Sequence, residues 1–226
     1  DPDTDEPEPA FLAVIGASGS GKSSLVRAGL RHELTFRNLD PSISDWRSAA
    51  MIPGQAASGN LVLHLLESLA SDEHGLRGLN EANASIPDLA KMLVEAPLTT
   101  LNLAIKPLLG SGEARSKLLL IIDQFEELFT AKEITPEARD TFLNVLEAFA
   151  RSGFCWVVVT MRSDFYALAQ QSETFLRLKS DTGHFDLLAP GPESLRRIIV
   201  EPARLAGIDF ERRDSQLGGQ SLSAQI

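Results

Sequence analysis

Gly16-Ala-Ser-Gly-Ser-Gly-Lys-Ser23 is the stretch on which the fold turns. It satisfies Gly-x-x-x-x-Gly-Lys-[Ser/Thr] at every fixed position. Just before it, Ala10 to Ile15 is a short apolar run that predicts a strand, and just after it Ser23 to Leu34 carries Leu25, Val26 and Leu30 at helical spacing. Strand, glycine loop and helix in that order make an anion cradle. The glycines let the chain curl so that successive N–H groups turn inward, and the positive end of the helix adds a favourable field. In such a loop Lys22 is expected to reach the β- and γ-phosphates of a nucleotide, while the Ser23 hydroxyl ligates magnesium. The expected nucleotide contacts are therefore Gly16, Ala17, Ser18, Gly19, Ser20, Gly21, Lys22, Ser23 and Ser24. A plain glycine turn capped by a helix has no need of Lys22 and Ser23 together.

Further along, Leu118-Leu-Leu-Ile-Ile-Asp123 is an uninterrupted apolar run closed by a carboxylate. Such runs mark strands covered on both faces of a parallel sheet, and ligands of open α/β sheets bind at the C-terminal strand ends. Asp123 is thus expected to hold the magnesium, chiefly through water, because this ion gives up its hydration shell reluctantly. Its simpler role would be to cap the helix that follows. Glu126 and Glu127 follow in Asp-Gln-Phe-Glu-Glu, close enough for one of them to activate an attacking water; acids in a first helical turn also serve as ordinary dipole partners. A third apolar run, Val157-Val-Val-Thr-Met-Arg162, brings Thr160 and Arg162 to the same sheet edge. There Arg162 is positioned to sense a γ-phosphate, the alternative being an ion pair with Asp164 on a solvated loop.

The remaining segments fit a repeated β-α-β pattern. Trp46 to Ile52 reads as a strand stopped by Pro53-Gly54, and Asn60 to Ala70, Pro87 to Val94 and Leu98 to Leu109 read as helices. Pro136 opens an amphipathic helix through Phe142, Val145, Leu146 and Phe149; Phe185 to Leu188 is a last strand and Pro192 to Leu205 a last helix. The fold class expected is a three-layer α/β P-loop NTPase with a mostly parallel five-stranded sheet. Its parts would be an acidic, Pro-rich linker over 1–9, a nucleotide-binding core over 10–190, and the start of a helical lid with an unassigned tail over 191–226.

Composition sets limits on partners. The chain has 226 residues, 43% of them hydrophobic, and a formal net charge of −10, which disfavours a nucleic-acid surface because phosphate backbones demand clustered Lys and Arg. No apolar stretch approaches the roughly 20 residues of a membrane span, so none is expected. A single cysteine, Cys155, leaves no intrachain disulfide and suits a cytoplasmic location. His32, His64, His74 and His184 stand without His or Cys partners at ligand spacing.

In these motifs taken together, the chain resembles STAND-class signalling ATPases, in particular the bacterial novel STAND NTPase 1 family. The likeness runs from about Phe11 to Glu211. It is carried by Val14 to Leu30, Trp46 to Gly54, Asp123-Gln-Phe-Glu-Glu-Leu-Phe129, Val159-Thr-Met-Arg-Ser-Asp-Phe165 and Leu187 to Gly207. The resemblance implies a NACHT-like switch, resting with ADP, active with ATP and assembled into homo-oligomers in the ATP state. It also implies sensor repeats and an effector domain elsewhere in a larger signalling protein. Two segments depart from the family pattern. Asp1 to Pro9 stands where the family holds adenine, and Arg212 to Ile226 stands where a helical lid and winged helix are expected. Slow hydrolysis with little preference for adenine over guanine is expected to follow. The competing functions are a non-hydrolysing nucleotide scaffold, a small-molecule kinase, and an AAA+-like DNA-remodelling ATPase.

Overall fold

A computed structural model describes residues 8–36, 43–81, 84–110, 115–179 and 183–208. Five strands form one sheet: β1 (Phe11–Gly16), β2 (Ile43–Met51), β3 (Arg115–Ile122), β4 (Cys155–Arg162) and β5 (His184–Leu187), in the order β2-β3-β4-β1-β5. Every pairing is parallel, so the expected mostly parallel sheet is parallel throughout. All five strands therefore deliver their C-terminal ends, and the chemistry they carry, to one edge.

The period of two along each strand divides the core. Leu118, Leu120 and Ile122 of β3 belong to a large cluster on one face, while Leu119 and Ile121 belong to a smaller one on the other. Helices α3 (Leu61–Ser71), α4 (Ile86–Glu95), α7 (Pro136–Arg151) and α9 (Glu173–Lys179) supply the large cluster. Across the sheet, the smaller cluster takes Val26 and Leu34 from the helical run after the phosphate loop. That run consists of α1 (Lys22–Ser24), a π-helical stretch Leu25–Leu30 and α2 (Arg31–Phe36). Helix on sheet on helix is the three-layer arrangement. Short helices α5 (Pro97–Thr100), α6 (Glu127–Thr130) and α8 (Tyr166–Ala169) complete this unit, which spans Asp1–Leu187.

Local sequence explains the ends of the longer helices. Asn60 caps α3 by accepting from Leu63 N, Ser85 caps α4 by accepting from Asp88 N, and Thr135 caps α7 by accepting from Ala138 N. Pro136 then opens α7 at a position where its missing N–H costs nothing. The helix expected over Leu98 to Leu109 is instead three pieces: α5, a π-helical stretch Leu101–Ile105 and a 3-10 turn Lys106–Leu109. Pro107 is the physical reason, since its ring and absent N–H do not permit the last turn to continue as α-helix. Strand β2 begins three residues earlier than its apolar pattern suggests, with a register shift between Ile43 and Asp45. A second compact unit, Leu188–Ile226, contains α10 (Pro192–Leu205), entered through Gly191 and carrying Pro202 inside it.

Candidate functional site

The loop between β1 and α1 is held in shape by its glycines. Gly19 and Gly21 have φ of 75° and 90°, the left-handed region that side chains disfavour. Gly16 answers to a different constraint: a Cβ there would lie 2.5 Å from Leu187 O and 2.9 Å from Ser20 Oγ. Two backbone bonds fix the curl, Ser20 N to Ala17 O at 3.2 Å and Leu25 N to Gly21 O at 2.8 Å. Inside the curl Lys22 is buried, and its ammonium donates to Gly16 O at 2.9 Å and Ala17 O at 2.7 Å. Ser20 Oγ is buried with no hydrogen-bond partner. A buried hydroxyl without a partner is costly, and phosphate oxygens in the loop would satisfy it. The loop's left-handed glycines, its buried ammonium and this orphaned hydroxyl fit a nucleotide's phosphates.

Sheet order brings the next groups together. Strand β4 lies between β1 and β3, with Gly16 in register with Arg162 and Ile122 with Val159. Asp123, one residue past the end of β3, is 1% exposed and faces both Ser23 and Thr160. Its Oδ1 accepts from Ser23 Oγ at 2.7 Å, from Thr160 Oγ1 at 2.5 Å and from Gln124 N at 3.1 Å. Gln124 N also donates to Thr160 Oγ1 at 3.1 Å, and its φ of 56° turns the chain sharply there. Thr160 is thus a positioning residue for Asp123. The Ser23 hydroxyl and the Asp123 carboxylate are adjacent hard oxygen donors, which fits magnesium, an ion that takes one or two protein oxygens beside phosphates and water.

Glu126 and Glu127 point to opposite sides. Glu126 is buried, and its Oε2 accepts from Arg162 N at 3.3 Å, toward β4 and the phosphate loop. Glu127 Oε2 accepts from Gly54 N at 2.8 Å, toward the turn after β2, at the far side of β3 from the loop. Arg162 makes a two-pronged ion pair with Asp164, Nε to Oδ1 at 3.1 Å and Nη2 to Oδ2, and lies 5.1 Å from the Phe165 ring centre. This is the pairing weighed above as the alternative to a phosphate contact. The Arg162 hydrogen bond holds the Asp164 carboxyl below its ordinary range, with Lys22 adding a smaller attraction. The Arg162–Asp164 pair therefore stands within electrostatic reach of the loop lysine.

Sequence patterns missed two members of the site. One is Gly54, whose amide holds Glu127. The other is Arg27, whose Nη1 lies 3.7 Å from Asp123 Oδ2. Its signal was available, because Arg27 follows Ser23 by four residues and shares that helix face.

A glycine phosphate loop after β1, an acid at the end of β3 and an interposed β4 define the class of P-loop NTPases. Sequence comparison is more specific: the profile described as novel STAND NTPase 1 matches residues 4–222, and the chain belongs to that family. The match extends past the Phe11 to Glu211 likeness, taking in most of both end segments that depart from the pattern. No curated protein sequence matches the chain. Among solved structures, the Aeropyrum pernix ORC2 protein in its ADPNP-ADP complexes has a TM-score of 0.57 at 20% identity, over 88% of this chain and 47% of that one. The Walker-type ATPase of Pyrococcus abyssi has a TM-score of 0.55 at 14% identity, over 89% and 55%. Drosophila ORC bound to DNA gives 0.52 at 16% identity, over 87% and 42%. These likenesses concern the fold. The chain spans about half the length of the two Aeropyrum pernix ORC2 chains it matches.

Proposed function

We propose that this domain binds ATP and ADP with magnesium at Gly16 to Ser24 and hydrolyses ATP slowly, as the nucleotide-dependent switch of a larger signalling protein. The observation that carries the reading is the contact of Ser23 with Asp123, two residues 100 positions apart whose oxygens lie 2.7 Å from each other beside the phosphate loop. Ser23 and Asp123 would hold magnesium, which when bound neutralises charge on the β- and γ-phosphates. Lys22 would leave its two loop carbonyls for the phosphate oxygens. Glu126 is the base in this reading. It lies on the loop side of β3, whereas Glu127 is engaged with Gly54 on the other side. Arg162 would exchange Asp164 for a γ-phosphate, which turns the nucleotide's state into a change at the sheet edge. ADP would favour rest and ATP would favour assembly with further protomers, sensor repeats or an effector.

The test is phosphate release and nucleotide retention by Glu126→Gln and Glu127→Gln proteins. An amide still hydrogen-bonds water but is a poor base, so Glu126→Gln is expected to retain ATP while hydrolysis falls by about 100-fold or more. Glu127→Gln is expected to fall less and to lose stability as well. Equal, parent-like turnover in both variants would rule out this assignment, and binding without any turnover by the parent chain would favour the permanent nucleotide scaffold.

A further inference from the structure

Asp123 has two carboxylate oxygens in unlike surroundings. Oδ1 accepts from Ser23, Thr160 and Gln124 and has little capacity left. Oδ2 faces a guanidinium, Arg27 Nη1 at 3.7 Å, and among the described residues no other cation lies within ion-pair distance of this carboxylate. The two partners differ in burial, Asp123 being 2% exposed at its side chain and Arg27 49%. A carboxylate so deeply buried needs a compensating charge. Arg27 supplies it from a distance beyond hydrogen-bond range, loosely, and with solvent beside it to retreat into. Its backbone belongs to the π-helical stretch Leu25–Leu30, a helix form that often accompanies functional sites.

We propose that Arg27 is the standing counter-ion of Asp123 and yields that position when magnesium arrives with a nucleotide. The proposal rests on the magnesium-nucleotide reading above. A divalent ion held by Ser23 and Asp123 would bring two positive charges to this one carboxylate, so a guanidinium at Oδ2 opposes the metal. Of these cations, Arg27 is the one with an open path to water. Arg27 is then a positioning residue that sets how much magnesium the site requires, and its departure is a second event, beside the loss of the Arg162–Asp164 pair, by which nucleotide alters the surface.

The experiment uses the full chain and its Arg27→Gln and Arg27→Lys variants. Binding of a fluorescent ADP analogue is followed against free magnesium, from an EDTA buffer upward. Arg27→Gln is expected to reach half-saturation at about threefold to tenfold lower magnesium, while Arg27→Lys stays near the parent. In EDTA without nucleotide, Arg27→Gln is expected to lower the thermal midpoint in the parent background but not in an Asp123→Asn background. The same magnesium dependence in the parent and Arg27→Gln would overturn the proposal, as would equal thermal losses in the two backgrounds. If the parent retains no analogue at any magnesium concentration, the nucleotide reading fails, and the role in magnesium binding falls with it. The thermal comparison in EDTA would still decide whether Arg27 and Asp123 are paired.

Discussion

Thr160 is a small residue with a large responsibility. Its hydroxyl donates to Asp123 Oδ1 and accepts from Gln124 N, so it ties a buried carboxylate to a strained backbone turn. Thr160→Val keeps the shape and removes both bonds. The expected loss is about 1–3 kcal/mol of unfolding free energy, with nucleotide binding shifted to higher magnesium, read by urea denaturation and titration. Unchanged stability would mean that Asp123 is held by Ser23 and Gln124 alone. Gly16 fails differently on substitution, because the clash in Gly16→Ala is with the Leu187 carbonyl and the Ser20 hydroxyl. Loop amides would be pushed out of line, and retention of ADP is expected to be lost while the sheet persists, as circular dichroism would record. At this scale the sequence was most legible where chemistry imposes fixed spacing. Lys22, Ser23 and Asp123 stood out for that reason. The Thr160 bond to Asp123 was not legible, since apolar runs can bring both residues to one sheet edge without showing which side-chain atoms meet there.

Elements were read by their burial pattern, and errors fell where backbone chemistry overrides that pattern. Uninterrupted runs such as Leu118 to Ile122 and Cys155 to Thr160 are strands because each packs on both faces. The segment from Leu98 to Leu109 has helical spacing as well, yet Pro107 breaks it. One consequence of strand burial is chemical. Burial pushes the Cys155 thiol well above its usual pKa, and the side chain is 0% exposed. Cys155 is therefore expected to stay unmodified by a thiol reagent at neutral pH until the chain unfolds. Fast reaction of the native protein would place β4 at a surface. Another consequence concerns α7 and α9, joined where Arg177 of α9 pairs with Glu147 at 2.9 Å beside Arg151. Burial alone would raise the Glu147 pKa, but hydrogen bonds and attraction from Arg177, with help from Arg151, hold it below the ordinary value. A depressed carboxyl contributes stability that is complete above its unfolded pKa and lost as the pH falls through the lower folded value. Arg177 is half-exposed, so Arg177→Ala is expected to cost about 1 kcal/mol or less at pH 7. In urea unfolding the gap to the parent should close as the pH is taken below the carboxylate range. A gap that persists in acid would assign the loss to packing.

For the whole molecule, the sheet edge is the organising feature. Five parallel strands end together, and the loop after β1, Asp123 after β3 and the Thr160–Arg162 end of β4 converge there. The net charge of −10 leaves Lys22 and Arg27 as locally important cations in an acidic chain, which suits a bound anion at this edge more than a long nucleic-acid footprint. If this convergence is a nucleotide site, calorimetric titration with ADP and ATP in magnesium must separate the parent from the Lys22→Ala chain. Charge-assisted hydrogen bonds contribute about 1.5–3 kcal/mol each, so the variant is expected to bind about 10-fold to 150-fold more weakly, or beyond detection, while melting as a folded protein. Equal affinity in the parent and a folded Lys22→Ala protein would mean that this loop does not hold the nucleotide's phosphates.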